Sequence, residues 1–205
     1  MNGVHAIEAE SYRIVAERVD LDRWPPLSRA VVARVVHAAA DVGYADSLVV
    51  DEAACAAGLA AFADGAPIVA DVEMVAVATR RCGSRCLLDE GRALQAQLRD
   101  VEPHLTATAG AMRVAAERWP VGAVVVVGNA PTALAEVVRL AAGGRFAPSL
   151  VIGLPVGFVG AAEAKAVLRA SGLPSISNVG ERGGSAVAAA ALNALWLLRP
   201  SEEPT

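Results

Sequence analysis

Four short stretches of the chain are continuously apolar or nearly so, without an apolar/polar alternation: Ala66-Pro67-Ile68-Val69-Ala70, Ala123-Val124-Val125-Val126-Val127, Ser149-Leu150-Val151-Ile152 and Ser175-Ile176-Ser177. Strands of this kind are buried on both faces, as in a parallel sheet covered by helices. Between them the apolar positions return at helical spacing. Helices are predicted at about Val72 to Arg80, Asp89 to Asp100, Ala109 to Arg118, Pro131 to Ala142, Ala161 to Ser171 and Ser185 to Leu198. Upstream, His5 to Val19 places Ile7, Ser11, Ile14, Val15 and Arg18 at helical spacing, so Ser11 lies on or beside the apolar face. Trp24-Pro25-Pro26 stops that helix. A second is predicted from Ser28 as N-cap to about Ala40, with Val32, Val35, Val36 and Ala39 as its core stripe and His37 nearly opposite. A short apolar piece, Leu48-Val49-Val50, precedes a helix from Glu52 to Ala63 that Asp64-Gly65 closes. The strand-then-helix order predicts an α/β fold, a three-layer α/β/α sandwich on a mostly parallel sheet. Residues 1–199 are expected to form one domain and residues 200–205 a frayed tail.

Composition narrows the partners. Of 205 residues, 55% are hydrophobic, but charge interrupts them often enough that no run approaches the roughly 20 residues needed to cross a bilayer. Met1 to Glu10 carries His5, Glu8 and Glu10 and does not read as a secretory signal, so a cytoplasmic protein is expected. The net charge of −4, with no Lys/Arg cluster among aromatics, argues against nucleic acid. It also means that an anionic substrate must be held by local arginines and helix N-termini. Cys55, Cys82 and Cys86 lack zinc-ligand spacing and read as packing residues, and no metal site is expected.

In an open parallel sheet the ligand crevice lies beyond the carboxyl ends of the strands. The residues there are unusual: Gly128-Asn129-Ala130-Pro131-Thr132, then Gly153-Leu154-Pro155-Val156-Gly157-Phe158-Val159-Gly160, then Gly180-Glu181-Arg182-Gly183-Gly184-Ser185. Each precedes a helix and can offer backbone N–H groups to an anion, although any one alone reads equally as a sharp strand-to-helix turn. None has the Lys-Ser/Thr of a phosphate-binding loop or the Gly-x-Gly-x-x-Gly spacing. His37 on an outward helix face reads first as a solvated residue; Arg34, one turn earlier, gives it a claim to chemistry on an acidic substrate. Asp71 fits an acid or a base, and better an N-cap for the following helix. No Gly-x-Ser-x-Gly elbow or Cys–His pair offers a covalent nucleophile.

Six blocks, in order, resemble the precorrin-8X (cobalt-precorrin-8) methylmutase family: Ile7-Glu8-Ala9-Glu10-Ser11-Tyr12; Arg34-Val35-Val36-His37-Ala38; Gly65-Ala66-Pro67-Ile68 with Asp71-Val72-Glu73-Met74-Val75; Gly128 to Leu134; Pro155 to Glu163; and Gly183-Gly184-Ser185-Ala186 with Asn193-Ala194. The resemblance implies a cofactor-free isomerase of cobalamin biosynthesis. Such an enzyme moves a methyl group on ring C of a tetrapyrrole, giving hydrogenobyrinic acid or, from the cobalt form, cobyrinic acid. It implies His37 as the proton donor, Ser11 and Arg34 as substrate contacts, and the glycine loops as holders of the peripheral acetates and propionates. Asp71, Asn129, Thr132, Gly157, Gly184 and Ser185 complete the substrate-binding set this reading expects. It also implies a homodimer with sites near the interface.

The chain departs from the family pattern at Ala38-Ala39-Ala40, which lacks the family's hydroxyl, and at Met74-Val75-Ala76-Val77-Ala78-Thr79. It departs most at Thr106-Ala107-Thr108-Ala109, where an arginine expected near the substrate is missing. Arg113 or Arg182 is the candidate replacement; the alternative is a paralogue that binds the corrinoid without converting it.

Overall fold

The computed structural model describes residues 6–199; His5 and the expected tail at 200–205 lie outside the described residues. The sheet contains β1 (Leu48–Val50), β2 (Ile68–Ala70), β3 (Arg85–Cys86), β4 (Val124–Val127), β5 (Leu150–Gly153) and β6 (Ser175–Asn178), in the order β1-β6-β5-β4-β2-β3. All neighbours are parallel except β1, which runs antiparallel to β6. The continuous apolar runs have the expected origin. On β4, Val124 and Val126 enter one core while Val125 and Val127 enter another on the opposite face. The first core is covered by α1 (Ala6–Arg18), α2 (Pro26–Ala39), the short α3 (Tyr44–Ser47), α4 (Glu52–Ala63), α5 (Glu73–Ala78) and α10 (Ser185–Leu198). The second is covered by α7 (Ala107–Arg118), α8 (Pro131–Ala142) and α9 (Ala161–Ala170), with α6 (Leu88–Gln97) packed on α7. This is the expected three-layer α/β/α sandwich.

The sequence pattern did not disclose two strands. β3 is two residues long with no apolar run, and β1 coincides with the short apolar piece Leu48-Val49-Val50, made a strand by its pairing with β6. The expected N-cap is also corrected. Ser28 lies inside α2, which begins at Pro26, and is buried. The cap comes from another helix instead: the Glu52 carboxylate accepts the N–H groups of Leu27 and Ser28 and the Ser28 hydroxyl, at 2.7 to 3.0 Å. An acceptor from 24 residues downstream satisfies the orphan donors that a local side chain usually takes.

α2 ends on Ala40, whose φ of 50° puts a residue with a Cβ in the left-handed region. Glycine adopts that conformation without the steric cost. Ala40→Gly is therefore expected to stabilise the fold by about 0.5 kcal/mol, the relief of strain being partly offset by the greater freedom of glycine in the unfolded chain. The midpoint of urea unfolding would report it.

Candidate active site

The chain order reverses between β2 and β4, the topological switch point where open α/β sheets form their crevice. Asp71, directly after β2, sits there with no exposed surface. Its carboxylate accepts the N–H groups of Gly128 (3.1 Å), Asn129 (2.8 Å) and Ala130 (2.8 Å), the turn that leads from β4 into α8. Burial pushes its pKa above the usual carboxylate value, and these three donors pull it back down. The expectation that Asp71 caps the following helix is overturned, since the cap position of α5 is Val72 and Asp71 faces the neighbouring loop. Nor is its carboxylate open to a ligand. It shapes the Gly128 turn from beneath.

That turn touches the last glycine loop. A Cβ on Gly128 would lie 2.8 Å from Ser185 Cα, so glycine is what lets the start of α10 approach β4. Gly184 donates to the Leu154 carbonyl (2.8 Å) and Gly157 to the Glu181 carbonyl (3.1 Å), binding the second and third loops together. Gly183 has no room for a side chain against the carbonyls of Leu154 and Pro155. Ser185 is buried, Asn129 and Thr132 are exposed, and Gly157 and Gly184 are intermediate.

His37 reaches the same edge from the last turn of α2, half-buried rather than fully solvated. Ser11 Oγ lies 2.7 Å from its Nδ1, and the Tyr12 ring stacks on the imidazole with centroids 4.8 Å apart and planes 15° from parallel. Both partners come from α1, so two adjacent residues hold the ring. Arg34 does not touch His37; it donates to the Tyr12 hydroxyl (3.3 Å) and lies 3.9 Å from Glu8. Burial raises the Tyr12 pKa, with Arg34 opposing. Sequence reasoning assigned Tyr12 no role, although its position beside Ser11 was the available signal.

Two clefts adjoin. One of about 310 Å³ is lined by Ser11, His37, Ala40 and Asp41 among others, and one of about 360 Å³ by Ala39, Asp41, Val156, Arg182 and Gly183 among others. Asp41 belongs to both and pairs with Arg182, whose guanidinium also donates to the Gly43 carbonyl (2.8 Å) and lies over the Tyr44 ring. His37, Ser11 and the last two glycine loops are thus brought to one region. Thr132 is placed elsewhere. It bonds Thr106 (2.9 Å) and Thr108 (3.3 Å) and faces a third cavity of about 670 Å³.

Of the two candidate replacements for the missing arginine, Arg113 is already spent. It donates to Glu102 at 2.6 and 2.9 Å and to Glu136 at 2.6 Å. Arg182 borders the crevice. Ala107 itself opens α7, directly after the cap residue Thr106.

Among the described residues no three His, Cys, Asp or Glu side chains converge as a metal site, and no helix is long and apolar enough to cross a membrane. Fold and site define an α/β enzyme with glycine loops at the carboxyl edge of the sheet and an oriented histidine in an adjoining cleft. The chain belongs to the precorrin-8X methylmutase family, isomerases of cobalamin biosynthesis, whose family model matches residues 6–198. It is 41% identical to the precorrin-8X methylmutase of Pseudomonas aeruginosa, covering 93% of each chain. It is 36% identical to the cobalt-precorrin-8 methylmutase of Priestia megaterium, over 95% of this chain and 88% of that one. The crystal structure of precorrin-8X methylmutase from Thermus thermophilus superimposes with a TM-score of 0.82 at 38% identity, covering 94% of this chain and 95% of the other.

Proposed function

We propose that this chain catalyses the methyl shift on ring C of precorrin-8X or its cobalt form, with His37 as general acid. The observation that carries this reading is the Ser11–His37 hydrogen bond at the mouth of the cleft. In the imidazolium form that acts as the acid, Nδ1–H donates to the Ser11 hydroxyl and the proton on Nε2 is the one left for the substrate. Protonation of the conjugated macrocycle lets the methyl migrate to the neighbouring carbon. An isomerisation adds no atoms, so the proton delivered is returned to the same nitrogen as the product forms. Imidazoles as a class exchange protons readily near neutral pH, and no cofactor is needed for this step.

A substrate rich in carboxylates is held here by Arg34, by Arg182 in place of the arginine missing at Ala107, and by the N–H groups of Gly183 and Ser185 at the start of α10, with Asn129 at the rim. Arg34→Ala is expected to raise KM about tenfold, the magnitude of one charged hydrogen bond. A steady-state assay in which KM stays at its original value would remove Arg34 from the binding set.

The working unit in this reading is a homodimer. Phe158 and Val159 are 90% and 89% exposed, and an apolar cleft of about 620 Å³ lies beside them between α8 and α9. Surface of that kind favours association. Cys55, Cys82 and Cys86 are free thiols with burial-raised pKa values, which suits a reducing cytoplasm.

The visible spectrum of the protein incubated with precorrin-8X, and separately with cobalt-precorrin-8, tests the assignment. Formation of the corrin chromophore without added cofactor is the expected result. Pigment that binds and keeps its starting spectrum would instead mark a binding paralogue.

A further inference from the structure

Lys165 of α9 has no exposed surface, yet it bears an ammonium group. Its Nζ donates to Asn178 Oδ1 at 2.9 Å and to the carbonyl oxygen of Arg182 at 2.7 Å. Asn178 Nδ2 donates to that same carbonyl at 2.9 Å. Both acceptors of the lysine are neutral oxygens. An ammonium buried without a carboxylate partner costs stability, and an apolar side chain of similar volume would fill the space without that cost. Something other than the stability of the core therefore accounts for the charge.

Its location supplies the reason. The Arg182 carbonyl lies at the back of the loop that opens α10, and two donors draw it inward. Across a trans peptide the C=O and the following N–H point in opposite directions, and the described residues contain no cis bond. With the Arg182 carbonyl turned toward Lys165, the Gly183 N–H points away from it, and Gly183 lines the cleft of about 360 Å³ that adjoins the His37 cleft. A cation behind the carbonyl also polarises the peptide and strengthens that N–H as a donor. Arg169 fixes the same corner by donating to the Asn178 carbonyl at 2.8 Å.

We propose that Lys165 is a positioning residue of the substrate site: its ammonium holds the Arg182–Gly184 loop with the Gly183 N–H toward the crevice and biases that crevice to anionic carboxylates. The inference rests on the tetrapyrrole reading of the site. Asp71 does the corresponding work, with opposite polarity, beneath the Gly128 turn.

Burial lowers the Lys165 pKa to about 8, Arg169 adds to that effect, and Glu181 opposes it. The other charged group of the loop, Arg182, is paired with Asp41. On α8, Glu136 accepts from both Arg139 and Arg113. β5, β6 and α10 contribute no titratable side chain. Two pH trends of opposite sign follow. Affinity for a polycarboxylate falls as pH rises through about 8 and Lys165 loses its proton. Stability moves the other way. The folded pKa lies below the ordinary lysine value of 10.5, so between about 8 and 10.5 the unfolded chain binds more protons and the contribution of Lys165 to stability improves with pH.

The test is the Kd for precorrin-8X by spectral titration, which needs no turnover, on the full chain and on Lys165→Met at pH 7 and pH 9, with thermal melts of both. The expected result is a Kd about tenfold weaker in the variant at pH 7, a wild-type Kd that weakens about tenfold from pH 7 to 9, and a flat profile in the variant. The melting temperature of the variant should equal or exceed that of the wild type at pH 7. Equal Kd values at pH 7, or parallel pH profiles, overturn the proposal. Should the variant not fold, a wild-type Kd that is flat from pH 7 to 9 overturns it alone. A wild type that binds no pigment at any pH would instead overturn the substrate assignment and, with it, this inference.

Discussion

Substituting alanine for His37 is expected to lower kcat by about 100- to 10,000-fold, the range that a positioned general acid supplies, while Kd for the tetrapyrrole stays within about threefold. The separation follows from the geometry. The imidazole is held from the side by Ser11 Oγ at 2.7 Å and from above by the Tyr12 ring, both on α1. The cations assigned to substrate carboxylates, Arg34 and Arg182, do not touch it. Removing the ring takes away the proton and leaves the anion-holding groups in place. Single-turnover conversion and equilibrium titration, run on the same preparation, separate the two quantities. A variant that binds tenfold worse yet converts each bound molecule at the original rate would make His37 a binding group and end its role as acid.

The second large effect is expected at Asp71. Alanine there leaves three N–H groups, those of Gly128, Asn129 and Ala130, buried or nearly so without the acceptor they now share. Each orphaned donor costs about 1 kcal/mol or more, partly offset because the buried carboxylate is no longer desolvated, so a net loss of about 3 kcal/mol is expected. Urea unfolding reads it directly. Asp71→Asn keeps one acceptor oxygen and should lose roughly half as much. Function should follow, because Gly128 abuts Ser185 and a loosened turn frees the start of α10. KM is expected to rise in Asp71→Ala in proportion to the loss of order, and equal stability of the three proteins would show that the turn holds itself without the carboxylate.

Much of this architecture was legible along the chain. Ala123 to Val127 is apolar at every position because both faces of β4 are covered, and that pattern alone implied helices on both sides of a parallel sheet. Pro131 marked the first position of α8, and the glycine loops marked the carboxyl edge, where parallel sheets open. What stayed hidden depended on distant partners. Ser28 read as a cap because its residue type favours that role, but Glu52 occupies it through the tertiary fold. β3 exists only as a backbone pairing with β2, and the three apolar residues of β1 are too few to be read as a strand without their pairing to β6. Arg34 and His37, one turn apart, pointed to an acidic substrate group held near the imidazole; the side-chain partners supplied by α1, Tyr12 to Arg34 and Ser11 to His37, come only from its packing across α2.

The sequence by itself determined the layers, the sheet edge that carries the glycine loops and the residue types present there, because these follow from local period and from glycine and proline geometry. Only the tertiary structure decided what each polar group does: that Asp71 faces a loop and not a ligand, that Arg113 is spent on two carboxylates, and that Lys165 lies buried beneath a glycine loop. The physical reason is that a buried polar group takes its role from the nearest available donor or acceptor, and at these sites that partner lies on another element of the fold.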